Sequence, residues 1–305
     1  MSKMSHIATS CQGFFLAFCL SLLTVLPLKA QTSQADSLRF LPEVDVVDVG
    51  MKKKTVCGGL VNTFAATRIQ EYMLGIGPAN VLDTYLSPET YKGSAVSLSS
   101  VDRRLRFDTE TRTYRKWQHQ STWQVSLNMA SNRANNADYL GGSLAFQYDW
   151  LRRVNRYLAV GPMVEAFLGG LYNTRNGNNP AQLYAQAEAG VTLLAEKSFS
   201  FLNKNFGIDY EASLPFLGAT FSPQYGQSYY EIFTRGNYDH NIAVTSPFNA
   251  LSLRQRISLD FRLGRHVFRI GYMGNYRQRE VNNLKYHDYD HQLLLGYTKY
   301  FTVKL

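Results

Sequence analysis

Two short clusters carry the side chains best suited to chemistry: His287-Asp288-Tyr289-Asp290-His291 and Asp239-His240. On a helix, His287 and His291 would share a face and could chelate zinc. On a strand they also share a face, but about 13 Å apart at ~3.3 Å per residue, too far for one ion. Only a loop could gather them, so no metal or other cofactor is expected. Asp239-His240 and Asp290-His291 also offer the pieces of an Asp–His hydrolytic couple. Solvated loop side chains are the expectation, and no catalytic residue is assigned. The sequence has no Gly-x-Ser-x-Gly elbow, P-loop or His-Glu-x-x-His motif.

A third feature is a set of arginines at alternating positions: Arg254, Arg256, Arg262, Arg269 and Arg277, with Arg104 and Arg106 as further candidates. On strands they would line one face. If that face is enclosed, it forms either an anion-selective lumen or a salt-bridge ladder with Glu165, Glu188, Glu196 and Asp260. The ladder is the expectation, because narrow barrels are filled by side chains and open channels need many more strands. The spacing also argues against nucleic acid as a partner, since the arginines do not cluster on one helix or in a tail.

The elements that would position these residues are extended. Leu251 to Leu263 places Leu251, Leu253, Gln255, Ile257, Leu259, Phe261 and Leu263 on one parity. Ser252, Arg254, Arg256, Ser258, Asp260 and Arg262 fall on the other. Period two defines a strand with two unlike faces. The same alternation recurs, giving strands at 67–76, 94–106, 115–129, 139–151, 157–171, 182–196, 206–216, 251–263, 266–279 and 288–305. The links 77–93, 130–138, 172–181, 217–250 and 280–287 are mostly long and share one end. The links 107–114, 152–156, 197–205 and 264–265 share the other. Ten antiparallel strands with this asymmetry describe a transmembrane β-barrel of the outer-membrane kind. Twelve stays open, since 217–250 has room for a further hairpin with Tyr229 to Thr234 as one arm.

Composition fits export. Lys3, the apolar run Phe14 to Leu26 and Ala30 before Gln31 read as a cleaved signal peptide over residues 1–30. Residues 31–66 then form a periplasmic N-terminal segment, and 67–305 the barrel. Cys11 and Cys19 leave with the signal, so Cys57 has no disulfide partner in the chain. The formal charge is +9, which suits contact with lipopolysaccharide phosphates. No stretch approaches eighteen uninterrupted apolar residues, which excludes a helical membrane protein.

Strand length decides which way the apolar face points. Thirteen residues exceed the ~5–6 typical of soluble strands and cover the ~9–11 of a tilted spanning strand. Tyr139, Trp150, Tyr157, Tyr172 and Tyr286 lie near strand ends, where aromatic girdles belong. Tyr297, Phe301, Val303 and Leu305 make the last strand similar to the C-terminal signal read by outer-membrane assembly machinery. Lys299 interrupts that face and counts against lipid. A secreted soluble β-protein is the rival reading.

Asn80-Val81-Leu82-Asp83-Thr84-Tyr85-Leu86-Ser87-Pro88-Glu89-Thr90-Tyr91-Lys92-Gly93 resembles a motif of an uncharacterised family of Bacteroidetes outer-membrane proteins, a domain of unknown function. The resemblance implies a barrel in the outer membrane and brings no activity. Parity places this segment in an outward link. Ser87-Pro88-Glu89 can start a tight turn, and Tyr85, Leu86 and Tyr91 favour burial. The segment is therefore expected to fold inward and cap the mouth, with Asp83, Glu89 or Lys92 paired to lumen arginines. Non-enzymatic work follows: a narrow pore, or a structural or surface-binding barrel of unknown ligand. Leu41 to Val49, before Lys52-Lys53-Lys54, reads as a periplasmic tail or as a strand that adds to a partner's edge.

Overall fold

The computed structural model describes residues 65–304 apart from 109–112, 156, 178, 203 and 264–265. The expected signal peptide and tail and most of the expected N-terminal segment lie outside the described residues.

Ten long strands run antiparallel: β1 (Ala65–Asp83), β2 (Ser87–Asp108), β3 (Thr113–Ser131), β4 (Asp138–Arg153), β5 (Leu158–Asn173), β6 (Ala181–Phe201), β7 (Lys204–Phe221), β9 (Leu253–Leu263), β10 (His266–Val281) and β11 (Leu284–Lys304). β8 (Ile242–Thr245) and helix α1 (Tyr229–Phe233) belong to the β7–β9 connection. β1 pairs with β11 from Ala65↔Lys304 to Asp83↔Tyr286, and β6 pairs with β7, so the sheet closes on itself. Closure gives each of the ten long strands a paired neighbour on both sides, as a barrel in lipid requires.

One paired row shows how the wall is built. From Ala185 it passes through Leu168, Leu144, Val125, Leu98, Leu74, Leu295, Ile270, Leu259 and Ile208. It returns to β6 at Lys197, twelve residues further along. That stagger tilts the strands, since shear and tilt are linked in a closed barrel. Every residue between the two ends of the row is aliphatic and on the outward parity. Leu98 is 62% and Leu168 56% exposed. The opposite parity holds Glu71, Gln120, Gln147, Glu165, Glu188 and Arg269, all buried. The molecule is thus apolar outside and polar inside. Lys299 is exposed on the outward face near the base, with its ammonium 5.7 Å from the Tyr297 ring centroid. At that level it can reach the interface past the ring.

Several strands are longer than the periodicity predicts. The expected link 77–93 is a hairpin whose turn is only Thr84–Leu86, and 280–287 shrinks to Asn282-Asn283. Both asparagines have positive φ, 53° and 61°, as a two-residue hairpin turn of matching twist demands. Above the apolar band the outward face becomes polar too, so alternation vanishes there although the strands continue. The count is ten, because Tyr229 to Thr234 is no strand arm. Ser228 caps α1, accepting from the Glu231 N–H while the Glu231 carboxylate accepts from the Ser228 N–H.

β9 pairs with β7 only between Phe206 and Ser213. Nearer the mouth, β8 takes its place on Gly218–Phe221. The wall there reaches β10 through the Glu280 N–H, which donates to the Asn249 carbonyl at 2.7 Å.

Candidate functional site

The lumen is where the charged residues meet, in three tiers. At the base, Glu71 (β1) is 1% exposed and faces three guanidiniums. Arg256 lies at 3.0 Å, Arg269 in direct contact and Arg103 at 3.7 Å. Arg269 also holds Asp260 through two bonds of 2.6 Å and Asp209 at 3.0 Å. Arg256 reaches Glu211 at 3.2 Å, and Arg103 reaches Glu196 at 2.5 Å. β2 and β6 stand four strands apart by the shorter route, so the Arg103–Glu196 pair crosses the lumen.

The middle tier repeats the device. Glu165 (β5) accepts from both Arg254 (β9) and Arg277 (β10), and Arg277 lies 3.7 Å from Glu188. Arg254 donates to Gln147, whose amide donates to Asp149 at 2.6 Å. The Arg277 guanidinium stacks 4.0 Å from the Phe167 ring centroid.

The mouth is closed by aromatics. Tyr91 and Tyr139 stack at 3.6 Å and 12°, packed with Val81, Leu86, Phe167, Leu171, Tyr184 and Tyr286. The Tyr184 hydroxyl donates to the Asp83 carboxylate, from a strand five places away in either direction round the barrel. The Tyr85 N–H donates to the same carboxylate at 2.8 Å. Arg279 sits 4.8 Å from the centroids of both the Tyr184 and Tyr286 rings. Tyr85 projects from the turn and donates its hydroxyl to the Gln227 carbonyl at 2.9 Å. Desolvation, with the Asp83 and Glu231 charges behind it, pushes that phenol up to about 12, so it stays a donor. Tyr184→Phe should destabilise by about 1–3 kcal/mol, because it leaves a buried carboxylate oxygen without its donor. Thermal melting checks this, and an unchanged midpoint would remove Tyr184–Asp83 from the packing of the mouth.

Some sequence expectations meet this geometry and others do not. Arg254, Arg256, Arg269 and Arg277 come together with Glu165, Glu188 and Asp260. Arg262, on the same strand, stands exposed at the base. On β2 Arg103 is buried, Arg104 faces outward beside Asp102 at 3.5 Å, and the Arg106 side chain lies outside the described residues. Near the base the even parity of β2 (Ser100, Asp102, Arg104, Arg106) is wholly polar, while Val101 and Leu105 share Arg103's parity and are buried with it, so local parity points the wrong way there. Asp83, Tyr85, Leu86 and Tyr91 turn toward the mouth. Glu89 accepts from Asn132 at 2.7 Å rather than pairing an arginine. Ser87 accepts from the Glu89 N–H at 3.2 Å, and Pro88 and Lys92 are exposed. Tyr139 and Tyr286 are no girdle residues, being buried inside, whereas Tyr172 and Trp150 do face outward.

The charge balance of the described interior favours acids. Among the described residues nine acids are buried (Glu71, Asp83, Asp149, Glu165, Glu188, Asp209, Glu211, Asp260 and Asp290) against five arginines (Arg103, Arg256, Arg269, Arg277 and Arg279), with Arg254 part-buried beside them. Carboxyls therefore outnumber the cations meant to attract anions. Reading the arginines alone missed Glu71, Asp209 and Glu211. Each was legible as an acid on the parity opposite an apolar outward face.

The hydrolytic pieces stay apart. Asp239 and His240 pair at 2.5 Å, but both are largely exposed in the outer connection. Asp290 faces the lumen, while His287 and His291 lie on the opposite parity. Among the described residues no cluster of three or more His, Cys, Asp or Glu could hold a metal ion. The His-x-Ser spacing of His119-Gln120-Ser121 lies on the outward parity of β3, with His119 Nδ1 3.3 Å from the Tyr148 hydroxyl.

These features define a closed ten-stranded barrel with a filled, ion-paired lumen. The chain belongs to the family described as Protein of unknown function (DUF3316), which matches residues 15–304. Among solved structures it is similar in fold to the outer membrane protease OmpT from Escherichia coli. Identity there is 8%, covering 80% of this chain and 99% of that one, with a TM-score of 0.40. It is also similar to Ail, the attachment invasion locus protein of Yersinia pestis, with 10% identity, 78% and 100% coverage and a TM-score of 0.26. An outer membrane channel from Pseudomonas putida F1 gives 9% identity, 82% and 100% coverage and a TM-score of 0.31. Comparison with curated proteins found no match.

Proposed function

We propose that this protein is an integral outer-membrane barrel with a closed lumen, acting through its outward mouth and loops as a structural or surface-binding element. The observation that carries this reading is the Arg–carboxylate network that spans the barrel from β2 to β6 and from β10 to β5. A permeant solute would have to part several buried ion pairs at once, and each separated charge would lose its partner in a low-dielectric interior. The aliphatic outward row supports a lipid setting, because soluble surfaces rarely carry so large a continuous apolar belt. Export by the 1–30 signal, insertion through the C-terminal strand and contact with lipopolysaccharide belong to the same proposal. So does the capping role of Asp83, Tyr85 and Tyr91, and the motif supports an origin among the Bacteroidetes.

The expected result is retention in carbonate-washed membranes, a faster-migrating band before boiling, and no conductance steps in planar bilayers. Discrete channel openings would overturn the closed lumen and restore the narrow pore. Release by carbonate without heat-modifiable migration would favour the secreted β-protein.

A further inference from the structure

Between the middle tier and the aromatic mouth, two carboxylates on the lumen face of β11 have no ionic partner. Asp288 and Asp290 are two residues apart, about 6.6 Å along the strand at ~3.3 Å per residue. Asp290 is 4% exposed. Asn128 reaches Asp288 Oδ2 at 3.5 Å, and Asn275 reaches Asp290 Oδ2 at 3.0 Å, with the Gln292 side chain also hydrogen-bonded to Asp290. The other oxygen of Asp288, Oδ1, is buried and accepts no hydrogen bond among the described residues, and neither carboxylate forms an ion pair there. The nearest interior guanidinium in register, Arg277 opposite Asp288, is already engaged by Glu165 and Glu188.

A second observation points the same way. Beside Asp288 lies a cavity of about 10 Å³, with Asn128, Ser143 and Asp288 on its polar side and Val81, Phe167 and Leu171 on its apolar side. That is room for one water or one small ion. The buried atoms without partners at its edge, Asn128 Oδ1 and Asp288 Oδ1, are both acceptors. A space fringed by unpaired oxygens, with the Asp290 carboxylate on the same strand face, calls for a positive charge rather than another acceptor. Carboxylate, amide carbonyl and hydroxyl oxygens suit a hard cation, not a soft transition metal.

We propose that Asp288, with Asn128 and Ser143 and with Asp290 as the neighbouring charge, forms an internal site for one hard alkali or alkaline-earth cation. The ion offsets part of the carboxyl excess of the lumen and ties β11 to β3 and β4 beneath the mouth. This assignment does not depend on what, if anything, the outward loops bind.

The test uses the folded barrel in detergent, stripped with chelator and dialysed against tetramethylammonium chloride. Sodium, potassium, magnesium and calcium chlorides are then added one at a time at matched ionic strength. At least one cation is expected to raise the melting temperature saturably by several degrees. The isosteric pair Asp288→Asn with Asp290→Asn should lose that response. In tetramethylammonium it should melt higher than the parent, because the unscreened carboxylates are gone, and in the effective cation it should melt lower. An exposed control, Asp239→Asn, should keep the parental response. A parent that responds to none of the four cations overturns the proposal. So does a double variant that keeps the full cation response.

Discussion

Glu71→Gln should lower the stability of the folded barrel by about 3–5 kcal/mol, the cost of breaking a buried ion pair from one side. Glu71 is shared by Arg256, Arg269 and Arg103, so its neutralisation leaves three buried guanidiniums drawing on Asp209, Glu211, Asp260 and Glu196. Glutamine keeps the shape but offers one carbonyl where two charged oxygens stood. The measurement is a urea titration of the heat-modifiable band in lipid vesicles, alongside Arg104→Gln. Arg104 is 66% exposed and pairs with Asp102 at 3.5 Å, so its loss should cost under about 0.5 kcal/mol. Equal, small effects from both variants would mean that the base tier does not hold the barrel together.

Leu74→Arg should cost about 2–4 kcal/mol in a bilayer, the penalty for a cation near the midplane on the lipid face of a barrel. Leu74 sits in the aliphatic row between Leu98 and Leu295 and is 47% exposed. Were that face in water, the same change would fall within about ±0.5 kcal/mol, as surface substitutions usually do. The variant therefore reads the solvent of the outer face directly. A loss of vesicle insertion with a stable fold in detergent is the expected pattern. Unchanged insertion and stability in both would place this row in water.

Much of this architecture is legible in the sequence because lipid and lumen impose opposite demands on alternate residues. The parity of Leu251 to Leu263 assigns Arg254 and Arg256 to the interior, and the structure places them there. Legibility fails where that contrast fades. Above the apolar belt, Asn80 to Gly93 and Glu280 to His287 are polar on their outward side, so they read as loops and are strands. At the base, Arg103 and Arg104 are chemically equal, and only pairing geometry separates them. The mouth was read from Tyr85, Leu86 and Tyr91, but their partners Tyr139, Tyr184 and Tyr286 come from distant strands. No local pattern announces such a meeting.

The β1–β11 seam has a consequence in time. The first wall pairing, β1 with β2, is local and can form as soon as both segments are available. The last one joins Ala65 to Lys304, the two ends of the described wall. Loop closure over such a span is entropically unfavourable and slow until the intervening hairpins have shortened the effective distance. Until that seam zips, β1 and β11 each present an open edge, and Glu71 lacks the strand order that brings Arg269 beside it. Barrel closure and lumen neutralisation are therefore one kinetic event, and a barrel caught before it would be both open-edged and internally unbalanced.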